Sequence, residues 1–304
     1  MTLSHRRARA FTLVEVVALL TAIASGACVV AVPLGTGQPG AARVSARKIK
    51  DSSQLRGIMQ AMVIWASNNT DVYPLASALD KQGVTVKGPD AAKDTTANIF
   101  SILVFNGSIP PDVTVSPDEK NPSITVMKNY SFTNPKTALQ PALALWDPAF
   151  SADFTAGKKG HFSYGHLEPA GKRRHRWSDT FNATEPVLTN RGPEVKGVTY
   201  DGEKSATVQL ANPKSHTLRI HGNGTSWSGN VVFNDGHVDF AANKIADGST
   251  FTSETAPHYV TRDGARRLDT WCYEEPDDPA ADNNFIGIFV TAGSRPADFR
   301  AIWD

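Results

Sequence analysis

Between Val16 and Val32 the chain carries no charged side chain, while Arg6, Arg7 and Arg9 precede this stretch and one acid, Glu15, stands at its edge. As a single helix, Phe11 to Leu34 would extend about 36 Å at about 1.5 Å per residue, against about 30 Å of bilayer hydrocarbon. A carboxylate in hydrocarbon costs roughly 2.5–3.5 kcal/mol at the centre and less near the edge, so Glu15 calls for a cationic partner. Arginines on the leader side stay cytoplasmic, which predicts one crossing with the rest of the chain on the opposite face.

Three readings fit this start. A cleaved secretory signal has an A-x-A exit at Ala22-Ile23-Ala24, although the apolar run continues through Cys28 to Val32. A lipoprotein signal would end at Cys28 behind Ser25-Gly26-Ala27, but lacks the aliphatic residue three places before the cysteine. The third is an anchor that stays attached.

Ala10-Phe11-Thr12-Leu13-Val14-Glu15 resembles the processing site of type IV pilins and pseudopilins, a short basic leader followed by G-F-T-L-[IV]-E and about twenty apolar residues. The resemblance implies cleavage between Ala10 and Phe11 by a prepilin peptidase and methylation of the new Phe11 amine. It also implies pairing of Glu15 with the amine of a neighbouring subunit, an attraction strengthened by low dielectric. The family usually has glycine where this chain has Ala10.

The implied organisation is a leader over 1–10, a transmembrane helix over 11–34, a flexible break over 35–40 and an extracytoplasmic pilin-like α+β domain over 41–304. The break follows from Pro33, Gly35, Gly37, Pro39 and Gly40. The fold expected is α+β: a long amino-terminal helix, membrane-spanning and broken near 33–40, packed on an antiparallel sheet. A second helix is predicted from Ala41 to about Asn69, with Val44, Ile49, Leu55, Ile58, Met59, Met62, Val63 and Trp65 on one face. Arg43, Arg47, Lys48, Lys50 and Arg56 occupy the other, and Tyr73-Pro74 forbids continuation. This basic helix ending in tyrosine-proline is similar to that of pseudopilin-like proteins of planctomycete-type bacteria.

Beyond Pro74, short apolar runs alternate with Gly, Pro, Asn and Asp. Ile99–Phe105 reads as a short helix or a buried strand. Residues 123–127, 142–146, 205–210, 231–240 and 285–291 read as strands. Asp235-Gly236 between alternating runs predicts a two-residue type I′ hairpin. That register puts Val231, Phe233, Val238 and Phe240 on one face, with His237 and Asp239 on the other. Asp235-Gly236-His237 also resembles the carboxyl-terminal signature of the pseudopilin-like proteins, in which a histidine precedes the hairpin. Here His221-Gly222 leads in, thirteen residues before Asp235.

His221, Asp235, His237 and Asp239 include possible metal ligands, but turn geometry already explains Asp-Gly. The acidic loop with Asp277, Asp278 and Asp282 is a candidate calcium site, since calcium takes six to eight oxygens. His161, His166 and His175 lie among Lys172, Arg173, Arg174 and Arg176, which reads as an exposed basic loop. Cys28 and Cys272 are the only cysteines, too few for a structural zinc site. A net charge of +1 supplies no global field for nucleic acid, which is not an expected partner.

The reading is a non-enzymatic structural subunit of a type II secretion or type IV pilus-like filament at a bacterial inner membrane, with no cofactor required. Its expected partners are the prepilin peptidase, other pilin or pseudopilin subunits and inner-membrane lipid. The alternative is a membrane-anchored extracytoplasmic enzyme or ligand-binding protein.

Overall fold

A computed structural model of the chain describes residues 39–203, 205–248, 250–252, 258–260, 266–274 and 283–304. Ala10, Phe11, Glu15 and Cys28, with the whole 11–34 stretch, lie outside the described residues, as do Asp277, Asp278 and Asp282. Residues 45–304 form one unit; of the other, residues 1–44, only the start of the first helix is described.

That helix, α1, runs Pro39–Ser67. Pro39 and Gly40 fall in its first turn, where a missing N–H costs nothing. The expected break near 33–40 therefore does not separate them from the helix. The end is built by side chains: Asn68 and Asn69 donate from Nδ2 to the carbonyls of Ile64 and Trp65 at 2.9 and 2.8 Å. Thr70 and Asp71 then take left-handed φ of 56° and 59°, turning the chain into Tyr73-Pro74.

The expectation of a membrane-spanning first helix is overturned among the described residues, where no helix is long and apolar enough to cross a membrane. The reason is composition: Arg43, Arg47, Lys48, Lys50, Asp51 and Arg56 crowd one half of α1. It is a two-faced helix lying on a protein core. Leu55, Ile58, Met59 and Met62 are buried, while Val44 and Ile49, assigned to the packed face by spacing, are exposed.

After a short α2 (Ala76–Leu79), helix α3 spans Thr96–Phe105, capped by Thr95 accepting from Asn98 N. This settles the ambiguity of the 99–105 run as helix. The strands follow: β1 Tyr164–Leu167, β2 Pro186–Asn190, β3 Val195–Asp201, β4 Ser205–Leu210, β5 Ser226–Phe233, β6 Val238–Ala246, β7 Thr250–Thr252, β8 His258–Val260, β9 Arg266–Leu268, β10 Ile286–Gly287, β11 Phe289–Thr291 and β12 Arg300–Ala301. The α+β class and the antiparallel sheet are present. The main sheet has order β10-β1-β2-β5-β6, with every neighbour antiparallel.

Both faces of this sheet are covered. On one, Tyr164, Leu188, Val232 and Ile286 pack with Leu55, Ile58 and Met62 of α1 and with Ile99, Phe100 and Leu103 of α3. On the other, Trp227, Val231, Ala241 and Ile245 pack with Val195, Ala206, Val208 and Leu210 of the smaller β3-β4-β7 sheet. Strand β5 is therefore buried from Ser226 to Val232, and the polar outer face expected for it does not exist.

The hairpin register also differs from expectation. Val232 lies opposite Val238 and Val231 opposite Asp239. Gly236 N donates to Phe233 O at 2.9 Å, and Phe233 N to His237 O at 3.1 Å. The loop thus has three residues, Asn234-Asp235-Gly236, with only Gly236 at positive φ (82°). A type I′ turn needs positive φ at both central residues; a type I turn with a glycine bulge does not. Asp235 stays out of the left-handed region because its carboxylate caps the His237 N–H at 3.1 Å.

Two other expected strands are absent. Residues 123–127 contribute only an isolated bridge, Ile124 to Gly160, and 141–143 form a 3-10 turn. Pro122 and Pro141 border these runs and cannot donate to a ladder. Ile58 is wholly buried between α1 and the sheet. Ile58→Ala is expected to destabilise the protein by about 2–5 kcal/mol in a chemical denaturation titration, with no change in the slope of the transition.

Candidate functional site

A wholly buried carboxylate on α1 marks a site that sequence reasoning missed. Asp51 of α1 is wholly buried. Its Oδ1 accepts from the Tyr164 hydroxyl of β1 at 2.9 Å. Its Oδ2 accepts from Asn190 Nδ2 of β2 at 2.7 Å, Asn230 Nδ2 of β5 at 2.9 Å and His221 Nε2 at 2.8 Å. One carboxylate therefore ties α1 to three strands and to the loop before β5. Burial alone would raise the Asp51 carboxyl, but hydrogen bonds from His221, Ser116 and Asn190, with the His221 charge, bring it below its usual range.

His221 is the histidine singled out ahead of the hairpin. Its side chain is only 2% exposed, and its Nδ1 faces Asp118 Oδ2 at 3.6 Å. Both ring nitrogens thus address carboxylates, so the imidazole acts as a bridge between them rather than as a base open to solvent. The glycine beside it is obligatory: a Cβ on Gly222 would lie 1.9 Å from Ser226 O. The turn that delivers His221 to Asp51 exists only without a side chain there.

The second constellation joins Tyr73-Pro74 to the hairpin. The buried Tyr73 hydroxyl donates to Asn234 Oδ1 at 2.7 Å. Asn234 Nδ2 donates to Glu185 Oε2 at 2.9 Å and to Arg176 O at 3.1 Å. Trp177 meets Tyr73 edge-on at 5.7 Å and donates from its indole to Pro74 O at 3.1 Å. Burial pushes the Tyr73 phenol far up, and Asp179 and Glu185 add to this. Outside this seat His237 Nδ1 meets the Asp235 carboxylate, and the His237 ring stacks on Phe233 at 4.4 Å. Asp235, Gly236 and His237 therefore cap the tip, while the neighbouring Asn234 makes the inward contact.

The histidines among the basic residues 171–176 are not brought together. His161 is half-buried, and His175 is exposed. His166 is buried among Phe100, Trp177 and Phe289, bonded to Thr96 Oγ1 at 2.8 Å and to the Leu167 carbonyl at 2.8 Å. Burial lowers its pKa to about 4, so it is a neutral core residue. The basic segment is not simply exposed either. Arg173 is wholly buried, pairing with Glu168 at 3.0 Å and Glu274 at 2.6 Å. Burial pushes Glu168 up to about 8; Arg173 opposes this, and the neighbouring Glu274 charge adds to it. Among the described residues, no three His, Cys, Asp or Glu side chains group as metal ligands.

The signal for the Asp51 site was present in the helix pattern: Asp51, Leu55, Ile58 and Met62 follow one another at spacings of four, three and four. An acid in that stripe is a buried acid. The chain matches no family model, no curated protein and no solved structure.

Asp51→Ala strands four donors in a dry site, and is expected to cost about 3–5 kcal/mol, whereas the exposed Asp235→Ala costs under about 1 kcal/mol. Asp51 has a depressed folded pKa, so its stabilisation is complete above the unfolded value of about 4 and fades as pH falls below it. Denaturation of both variants at pH 7 and pH 3 checks this. His166 has the opposite occupancy: the unfolded chain takes its proton first. Wild type is expected to lose up to about 3 kcal/mol between pH 6.5 and 4 relative to His166→Gln, measured as the difference between their stability curves.

Proposed function

We propose that the chain is a structural subunit of a type II secretion or type IV pilus-like filament, held at a bacterial inner membrane by its uncharged amino-terminal stretch. The single observation that carries this is Ala10-Phe11-Thr12-Leu13-Val14-Glu15 behind three arginines and ahead of a stretch without charge. Prepilin peptidase cuts after Ala10. Glu15, left near the new amine, pairs with the methylated Phe11 of an adjoining subunit, and this ion pair sets register in a medium where neither charge is tolerated alone. The chemistry is recognition, with no bond made or broken after processing.

The geometry of the described body supports the reading. Two of the residues that carry the further resemblances, His221 and Tyr73, act on α1 and its exit. His221 holds its first half through Asp51, and Tyr73 seats its end on Asn234 at the hairpin. A subunit drawn into a filament by its amino terminus must pass that load to its body, and α1 is the element next in the chain. A buried carboxylate bonded to three strands and a loop is a joint able to do this.

The test is mass spectrometry of the mature protein from its native host. A first residue of methylated Phe11 is expected, and Glu15→Ala should be processed yet fail to assemble. A start at Ser25, or a lipid on Cys28, overturns the proposal.

A further inference from the structure

We infer that the outward face of α1 docks a second copy of this chain head to tail, with the Ile49-Lys50-Arg56 end of one copy entering the groove formed by Ile64, Phe181 and Asp179 of the next. This rests on the filament reading and gives it an interface within the described body.

Three large apolar side chains stand out in solvent here: Ile49 is 68% exposed, Ile64 64% and Phe181 73%. Ile49 and Ile64 lie about 22 Å apart along the helix and roughly 60° apart around it, on the side away from the core. Phe181 is held at φ 54°, a conformation costly for an aromatic residue, so the backbone imposes its outward place. Isolated exposed apolar residues are ordinary; here they stand at both ends of one face, and each end carries its own charge.

The two ends have opposite sign. At one, Lys50 and Arg56 are exposed, and neither has an ion-pair or hydrogen-bond partner among the described residues. Arg47 and Lys48 beside them are engaged, by Asp118 and the Phe240 ring. At the other end an open groove runs between α1 and the hairpin tip, lined by Val63, Ile64, Phe181, Asp179 and Asp235. Asp179 Oδ1 is shielded from solvent and has no hydrogen-bond donor. Burial and the neighbouring Asp71 both raise the Asp179 pKa. Glu185 and Asp235 add negative charge; His237 Nδ1 contacts the latter, and Arg176 is bonded to Asn284. Asp179 therefore brings a carboxylate with no ion-pair partner to the groove, and Lys50 and Arg56 are exposed cations with none, among the described residues.

The two patches are different surfaces. A contact between them leaves one of each free, so it repeats along an open line and does not close as a pair. Each contact is small. Subunits already joined through their amino-terminal segments meet at high effective concentration, which makes a weak lateral contact sufficient.

The test is cross-linking of the full-length chain in its native host, in a Cys28→Ser background; Cys272 is buried. Ile49→Cys combined with Phe181→Cys should give a ladder beyond the dimer, and neither single variant should. Asp179→Lys in that background, and Lys50→Glu with Arg56→Glu in it, should each cut the ladder at least about tenfold. Co-expressing the two charge variants should restore it, since a reversed end then meets a reversed groove; that recovery also shows both are folded. Dimers from a single cysteine variant, or no ladder from the double variant, overturn the interface. No ladder with a mature terminus at methylated Phe11 removes only the interface. A ladder with a start at Ser25 removes only the filament reading.

Discussion

A carboxylate in a dry interior is tolerable only when each of its lone pairs is answered, and at Asp51 that requirement organises the body. Tyr164, Asn190, Asn230 and His221 come from β1, β2, β5 and the loop before β5. None of these donors reaches Asp51 unless the strands are in register and Gly222 lets the loop pass. The apolar residues of α1 drive its burial, but Leu, Ile and Met tolerate sliding and rotation. The carboxylate does not. A helix shifted by one turn would bury the charge without its donors, at a cost of several kcal/mol. The hydrophobic stripe thus supplies most of the stabilisation, and one polar group chooses the alignment.

The second constraint is that strands β1, β2 and β5 of the main sheet have no wet face. Alternation along β5 sends Val232 to the helices and Val231 to the β3-β4 sheet, so both parities are apolar or locked in hydrogen bonds. Asn230 shows the consequence: it lies within a buried strand because its amide serves Asp51 and its N–H donates to Asn190 Oδ1 at 2.8 Å. With the interior filled this way, the polar groups most suggestive of chemistry, His221, His166 and Arg173, serve packing and alignment.

Much of this was legible in the chain before any coordinates. The reach and sidedness of α1, its stop at Asn68-Asn69, and the strands around 205–210 and 231–240 follow from local periodicity and turn chemistry. What escaped did so for long-range reasons. The burial of β1 and β2 depends on neighbours far along the chain, and β2 opens on Pro186 and closes on Asn190, residue types depleted in strands. The hairpin register shifted because Asn234 is drawn inward by Tyr73, a partner 161 positions away. Ile49 looked like core because it keeps the apolar character of the stripe, yet its phase points outward. Asp51 is the instructive miss. Among so many basic residues it passes for one more surface charge, and only its spacing to Leu55 and Ile58 sets it apart.

The clamp and the open face of α1 are two sides of one arrangement. Buried on the Asp51-Leu55-Ile58-Met62 side, the helix cannot rotate, so Ile49, Lys50 and Arg56 are fixed relative to Ile64, 15 positions further along the same helix, and to the Asp179 and Phe181 that share its groove. A mobile helix would smear these charges over solvent and select no neighbour. A fixed one presents a basic, apolar end and an acidic, apolar end at a set separation. Because that separation is built into a rigid rod, each added copy would meet the last with the same offset. A constant offset between unlike ends would generate a line of subunits, and the carboxylate that holds the helix to its sheet would then fix that offset.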